Sequence, residues 1–290
     1  MIKTATSGDG ASDTGVGPTQ SVVLGSDFSR LNGQSPGQPV VYPQPESLGD
    51  YRIEAKLGQG GMGVVYRARH AESDEVYALK LLPRVDADRL YRFKREFRAL
   101  QGVHHLNLVG LHSLVEFDHQ WFFTMDLVED AQSFIEYVRP KGKLDVSRLR
   151  NALAQLVEGV QTLHKHSVLH RDLKPSNVMV DRPGRVILLD FGLVTEMARR
   201  DQTLSADSVS GTPAYLAPES AANSEETFAC DWYAVGVMLY EALSGQWPYR
   251  GSIVQILLEK QTRDAPPLDS TVDAPPRSGG SRHRLAAPRS

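Results

Sequence analysis

The 290-residue chain has a single cysteine, Cys230, so a disulfide framework and a thiolate metal cluster are both excluded. Cys230 stands beside Asp231 and Trp232 in an apolar run, the setting of a buried small hydrophobe rather than a nucleophile. A net charge of one sign is also lacking: 32 basic against 35 acidic residues give −3, and no electrostatic ground for a nucleic-acid partner. No apolar run approaches the ~20 residues of a membrane span. The first thirteen residues lack the apolar core of a signal peptide, so a cytoplasmic location and no membrane segment are expected. Apolar residues are on the low side at 41%, which fits a folded body with disordered ends.

Residues 1–48 are Gly, Ser, Thr, Pro, Gln and Asp with isolated apolar positions, too little to offset ordering entropy, and are expected to be a disordered leader. Tyr51 to Lys56 and Val64 to Arg69 alternate as strands around Gly58-Gln59-Gly60-Gly61-Met62-Gly63. Such glycines suit a plain hairpin, a dinucleotide-binding turn or a backbone lid over phosphates; the β-branched and aromatic residues that follow argue against the helix a dinucleotide fold needs. Glu75 to Leu82 reads as a strand with Val76, Ala78 and Lys80 on one face, so Lys80 is either a snorkelling surface residue or a buried charge that needs partners. Asp88 to Gln101 has Leu90, Phe93, Phe97 and Leu100 at helical spacing, with Glu96 beside that stripe. A carboxylate there needs a cation or stays wet; an ion pair with Lys80 is expected.

Two strands, Leu108 to Glu116 and Gln120 to Leu127, are expected around a turn at Phe117 to His119, then a helical turn at Ser133 to Val138. A long helix from Val146 to His166 carries a stripe of Leu149, Leu153, Leu156, Val160 and Leu163. It supports His170-Arg171-Asp172-Leu173-Lys174-Pro175-Ser176-Asn177, a proline-stiffened loop. In that octet Asp172 could accept a proton from an attacking hydroxyl, Lys174 could steady a migrating phosphoryl group, and Asn177 could hold a metal. Short strands at Val178 to Val180 and Arg185 to Leu189 flank a turn, and the second ends in Asp190-Phe191-Gly192. Asp231 to Leu243 should be a buried helix with Asp231 as its cap and Gly245 as its stop; Ile253 to Lys260 could be one more.

Glycine loop, strand lysine, helix glutamate, His-Arg-Asp, Asn177, Asp-Phe-Gly and Ala217-Pro218-Glu219 occur in one order. Residues from about Tyr51 to Gln261 thereby resemble the eukaryotic-type (Hanks-type) serine/threonine protein kinases. The stretch from Gly58 to Tyr66 is most like the bacterial members. The resemblance implies an α+β, bilobal fold: a small antiparallel β lobe with one helix (49–127) and a mainly α-helical large lobe (128–262). It implies transfer of the ATP γ-phosphate to protein serine or threonine hydroxyls, with Mg2+ (or Mn2+) as cofactor. The implied catalytic residues are Asp172, Lys174, Asn177, Lys80 and Glu96. The implied nucleotide site is Gly58, Gly60, Gly61, Gly63, Val65, Ala78, Lys80, Met125, Asp126, Val128 and Met179. The implied metal ligands are Asn177 and Asp190. By the same resemblance Asp231 bonds the backbone of the catalytic loop and Gly211-Thr212-Pro213 receives the acceptor. Arg171 should meet a phosphate on Thr203, Ser205 or Ser208. Family members continue with further helices, including an arginine that pairs with the glutamate found here as Glu219. Residues 263–290 show no apolar period and read as a disordered tail. The large lobe is therefore expected to be truncated or completed by a partner, and a fragment that only binds nucleotide or another protein is the competing expectation.

Overall fold

The computed structural model describes residues 45–60, 63–83, 86–191, 213–221 and 226–268. Gly61, Thr203, Ser205, Ser208, Gly211 and Thr212, all named above, lie outside them.

The chain forms two lobes. The first is a six-stranded antiparallel sheet made of β1 (Ser47–Leu48), β2 (Tyr51–Gly60), β3 (Gly63–His70), β4 (Val76–Leu81), β5 (Leu111–Phe117) and β6 (Gln120–Asp126), in the order β1-β2-β3-β4-β6-β5. Strand alternation sorts its two faces. Val64, Tyr66 and Ala68 enter an outer cluster with Tyr51, Leu79 and Phe122, while Val65 and Ala78 point to the main core. At the glycine tip β2 and β3 stay paired to the end as a hairpin, through Gly58↔Val65 and Gly60↔Gly63. β1 also lies inside the expected leader, held by Ser47↔Arg52. The β5–β6 turn closes in two residues because Asp118 and His119 both take left-handed backbone angles, φ 48° and 57°.

Helix α1 (Ala87–Gln101) is capped by Asp86, whose side chain accepts from Arg89 N, and buries Phe93, Phe97 and Leu100 against the sheet. The second lobe begins with β7 (Gln132–Ser133) and α2 (Phe134–Val138), which starts in a capping box of Ser133 and Glu136. Then follow α3 (Val146–Lys165), β8 (Val178–Val180), β9 (Val186–Leu188), α4 (Pro218–Ala221), α5 (Phe228–Ser244) and α6 (Ile253–Thr262). α3 buries Leu149, Leu156, Val160 and Leu163 as the stripe predicts, with Leu153 at the edge. β7, β8 and β9 form a small second sheet.

The lobes are joined by more than the chain linking β6 to α2. Buried Asn107 donates from Nδ2 to Val186 O (2.7 Å) and Gln155 Oε1 (3.1 Å), and Leu188 N donates to Asn107 O (2.9 Å). One apolar cluster runs through both, from Ala78 and Phe97 to Leu163 and Met238.

Candidate active site

The loop before β8 is fixed from below by one carboxylate. Asp231, 1% exposed, accepts from His170 N (2.8 Å), Arg171 N (2.9 Å) and His164 Nε2 (2.8 Å). It does not cap α5, as the sequence suggested; Thr227 does, its side chain accepting from Ala229 N, so the helix begins earlier and Asp231 lies within its first turn. Burial pushes the Asp231 carboxyl up, but the bonds from His164 and the loop more than offset this and leave it below the ordinary range. His170 is fully buried edge-on to Phe191, and burial pulls its pKa down, so it is a neutral packing residue.

Above this anchor Arg171 takes a left-handed backbone, φ 63°, which turns Asp172 back toward the loop. Asp172 Oδ2 accepts from Lys174 Nζ and from Asn177 Nδ2, each at 2.8 Å. Asn177 Nδ2 also donates to the Asp172 carbonyl at 2.8 Å. With Oδ2 doubly engaged, Oδ1 of Asp172 is the oxygen that could take a further donor. With both amide hydrogens of Asn177 committed, its oxygen is the atom a cation can use.

Leu189 N donates to Asn177 O at 2.8 Å, which brings the end of β9, and so Asp190, alongside Asn177. Asp190 is itself left-handed, φ 55°, and its Oδ1 lies 2.7 Å from Lys80 Nζ. Burial pushes the Asp190 carboxyl up; the charge and hydrogen bond of Lys80, with the charge of Lys174, more than offset this and hold it below the ordinary range. A carboxylate and an amide oxygen at one edge suit a hard divalent cation, which commonly takes one or two protein oxygens and completes its shell with phosphates and water.

Lys80 is buried, but the ion pair it forms among the described residues is with Asp190, not the expected Glu96. Glu96 Oε1 lies 3.9 Å from Arg171 Nη1, and Arg171 Nε lies 3.4 Å from Glu226 Oε2. The left-handed turn at Asp190 carries its carboxylate to the lysine, while Glu96 finds a cation on the loop across the cleft. Arg171 already faces two carboxylates, so it does not depend on a phosphate to offset its charge.

The apolar residues assigned to the nucleotide come together. Val65 is the register partner of both Gly58 and Lys80, and Ala78 of Met125. Ala78, Met125 and Met179 are each 4% exposed in one cluster, with Leu57, Val65 and Val128 at its margin. Asp126 N donates to Gly110 O (2.9 Å) and its side chain takes Gly110 N and His112 Nε2. Gly63, φ 116°, is required by the hairpin itself: a Cβ there would meet Leu81 O at 2.0 Å.

A second cleft lies on the far side of Asp172, lined by Asp172, Lys174, Pro213, Tyr215, Leu216 and Ala217. It places the segment before α4 opposite the catalytic-loop carboxylate. Cys230 lies beside it, its Sγ donating to Glu219 Oε1 (3.4 Å); burial pushes the thiol up, so it is no nucleophile.

Residues 51–278 match the family model for the protein kinase domain. This chain belongs to the eukaryotic-type (Hanks-type) serine/threonine protein kinase family. It is 33% identical over 222 residues to the serine/threonine-protein kinase PrkC of Bacillus subtilis, covering 75% of this chain and 34% of that protein. It is 32% identical over 223 residues to the probable serine/threonine-protein kinase PknB of Lactococcus lactis, covering 75% and 35%. It is 34% identical over 232 residues to the serine/threonine-protein kinase pkn3 of Myxococcus xanthus, covering 75% and 42%. The chain thus spans about a third to under half the length of these relatives. No helix among the described residues is long and apolar enough to cross a membrane.

Three residues were not singled out as site residues from sequence alone. Glu226 and His164 meet the catalytic loop only through the fold, and no local pattern marks them. Lys260 stands in the sequence only as the end of a possible short helix, and it is 6% exposed.

Proposed function

We propose that this chain transfers the γ-phosphoryl group of ATP to serine or threonine hydroxyls of protein acceptors. The observation that carries the reading is the Lys174–Asp172–Asn177 arrangement, which holds Asp172 by one carboxylate oxygen at a cleft it lines together with Pro213, Tyr215 and Leu216. Family membership and the likeness to the serine/threonine-protein kinases PrkC and PknB support the serine/threonine class.

Asp172 Oδ1 orients the acceptor hydroxyl and takes its proton as the oxygen–phosphorus bond forms. The bond from the γ-phosphorus to the bridging oxygen breaks, and ADP leaves. Lys174, bonded to Asp172, and Lys80 offset phosphate charge. Gly58, Gly60, Gly61 and Gly63 let the backbone approach the phosphates, while Val65, Ala78, Met125, Met179 and the backbones of Asp126 and Val128 hold the adenine. Asn177 and Asp190 would hold Mg2+ or Mn2+, which supplies charge neutralisation on the phosphates. Glu96 contributes through Arg171, next to Asp172. Phosphorylation of Thr203, Ser205 or Ser208 by the enzyme itself adds a further anion for Arg171. The acceptors are proteins of a cytoplasmic compartment.

Incubation with labelled ATP and magnesium, beside an Asp172→Asn control and followed by mass spectrometry, tests the reading. Label in the wild type and its loss in the control are expected. Equal labelling ends the enzymatic reading, and a nucleotide-dependent rise in melting temperature without transfer would leave a binding module. A phosphate-free 203–208 segment in an active enzyme removes the self-phosphorylation step.

A further inference from the structure

Lys260, on α6, is 6% exposed, and its ammonium faces three backbone carbonyls of a single segment. Nζ donates to Pro213 O (2.5 Å), Ala214 O (2.7 Å) and Leu216 O (2.7 Å). Three donors meet three acceptors, which uses the full capacity of the group. Beyond these carbonyls the ammonium has the ring of Tyr233, 5.3 Å from its centroid. Among the described residues no carboxylate pairs with it.

A buried cation held by neutral dipoles alone is a poor device for stability, because an apolar residue of similar volume avoids the desolvation. Burial alone pulls the pKa of Lys260 down to about 8. What the arrangement secures is local: the carbonyls belong to the wall of the cleft whose other side is Asp172 and Lys174. The same wall is held by a second, side-chain tie, in which Tyr215 Oη donates to Glu241 Oε2 (2.5 Å) and accepts from Trp247 Nε1 (3.0 Å). One tie acts on the main chain of the segment and the other on the ring of Tyr215. Three carbonyls turned toward one ammonium also fix which groups of residues 213–217 face the cleft.

We infer that Lys260 is a positioning residue for the protein acceptor: by gathering the carbonyls of Pro213, Ala214 and Leu216 it sets the wall against which the acceptor polypeptide lies with its hydroxyl at Asp172. This rests on the kinase reading above. Lys260 touches neither nucleotide residues nor Asp172, so its contribution belongs to acceptor binding and not to ATP binding.

The test is steady-state kinetics of the full chain with dephosphorylated casein as acceptor, for wild type, Lys260→Met and Lys260→Arg. Lys260→Met should raise the KM for casein about tenfold while the KM for ATP moves less than about twofold, and Lys260→Arg should restore most of the loss. An unchanged casein KM, or a parallel rise in both KM values, overturns the inference. If Lys260→Met melts below the assay temperature, Lys260→Gln, which retains two donors, should show the same split in smaller measure, and its absence counts equally against the inference. A wild type that transfers no phosphate fails the kinase reading and takes this inference with it. A turning-over wild type with an indifferent Lys260→Met fails this inference alone.

Discussion

Lys80 Nζ lies 2.7 Å from Asp190 Oδ1, joining the lysine of the first sheet to the carboxylate at the exit of β9. The lysine side chain is 3% exposed and the aspartate side chain 25%, so the two ends are unequally dependent on the bond. Removing one partner of a buried pair costs about 3–5 kcal/mol, with the partly wet carboxylate placing Lys80→Met at the lower end. Asp190→Asn strands the drier charge and should destabilise more. The double variant should recover part of the sum, read by denaturant unfolding of all four proteins. Strict additivity would show that the pair is not coupled.

Asp231 makes a prediction with a pH sign. Its folded pKa is below the usual 3.8, so the stability it contributes is fully present above that value and is lost as pH falls through the folded one. Asp231→Asn should cost about 2–3 kcal/mol near neutrality, because charge-assisted bonds to His170 N, Arg171 N and His164 are weakened together. The gap between wild type and variant should narrow below about pH 4. A gap that stays constant from pH 7 to pH 3 would remove Asp231 as the charged anchor of the loop.

The order of motifs made most of the fold legible, because each carries a backbone demand as well as a chemical one. Gly63 needs a left-handed angle at the hairpin tip, and the Leu149–Leu163 stripe needs a buried helix before the loop. Charge partners were less legible. Glu96 was the expected partner for Lys80, and the pair with Asp190 turns on a left-handed φ at Asp190 that no residue pattern announces. Asp231 looked like a cap because it opens an apolar run, but Thr227 caps the helix first. The burial of Lys260 was not legible, because helix spacing alone does not reveal that the segment before α4 supplies its partners.

Two glycines should respond in opposite ways to alanine. At Gly63, φ 116° and a Cβ 2.0 Å from Leu81 O force β3 and β4 apart. Backbone strain alone is about 1–2 kcal/mol, and the clash adds to it. At Gly102, φ −83° is ordinary and a Cβ meets nothing within 4 Å. There alanine should leave stability unchanged or raise it by up to about 1 kcal/mol through the unfolded chain. Thermal melting of both variants decides it, and a Gly63→Ala protein as stable as Gly102→Ala would contradict the hairpin geometry.

Asn177 allows metal holding and carboxylate positioning to be separated. Its two amide hydrogens serve Asp172, and its oxygen is the group open to a cation. Asn177→Asp keeps an oxygen for the cation, removes both donors and sets a second carboxylate against Asp172. It should therefore retain a magnesium-dependent rise in melting temperature with ATP while kcat falls by about a hundredfold or more. Asn177→Ala removes the oxygen as well and should lose the magnesium dependence together with turnover. If Asn177→Asp instead loses the magnesium-dependent shift but keeps near-normal kcat under saturating metal, the amide hydrogens are not what holds Asp172 in place.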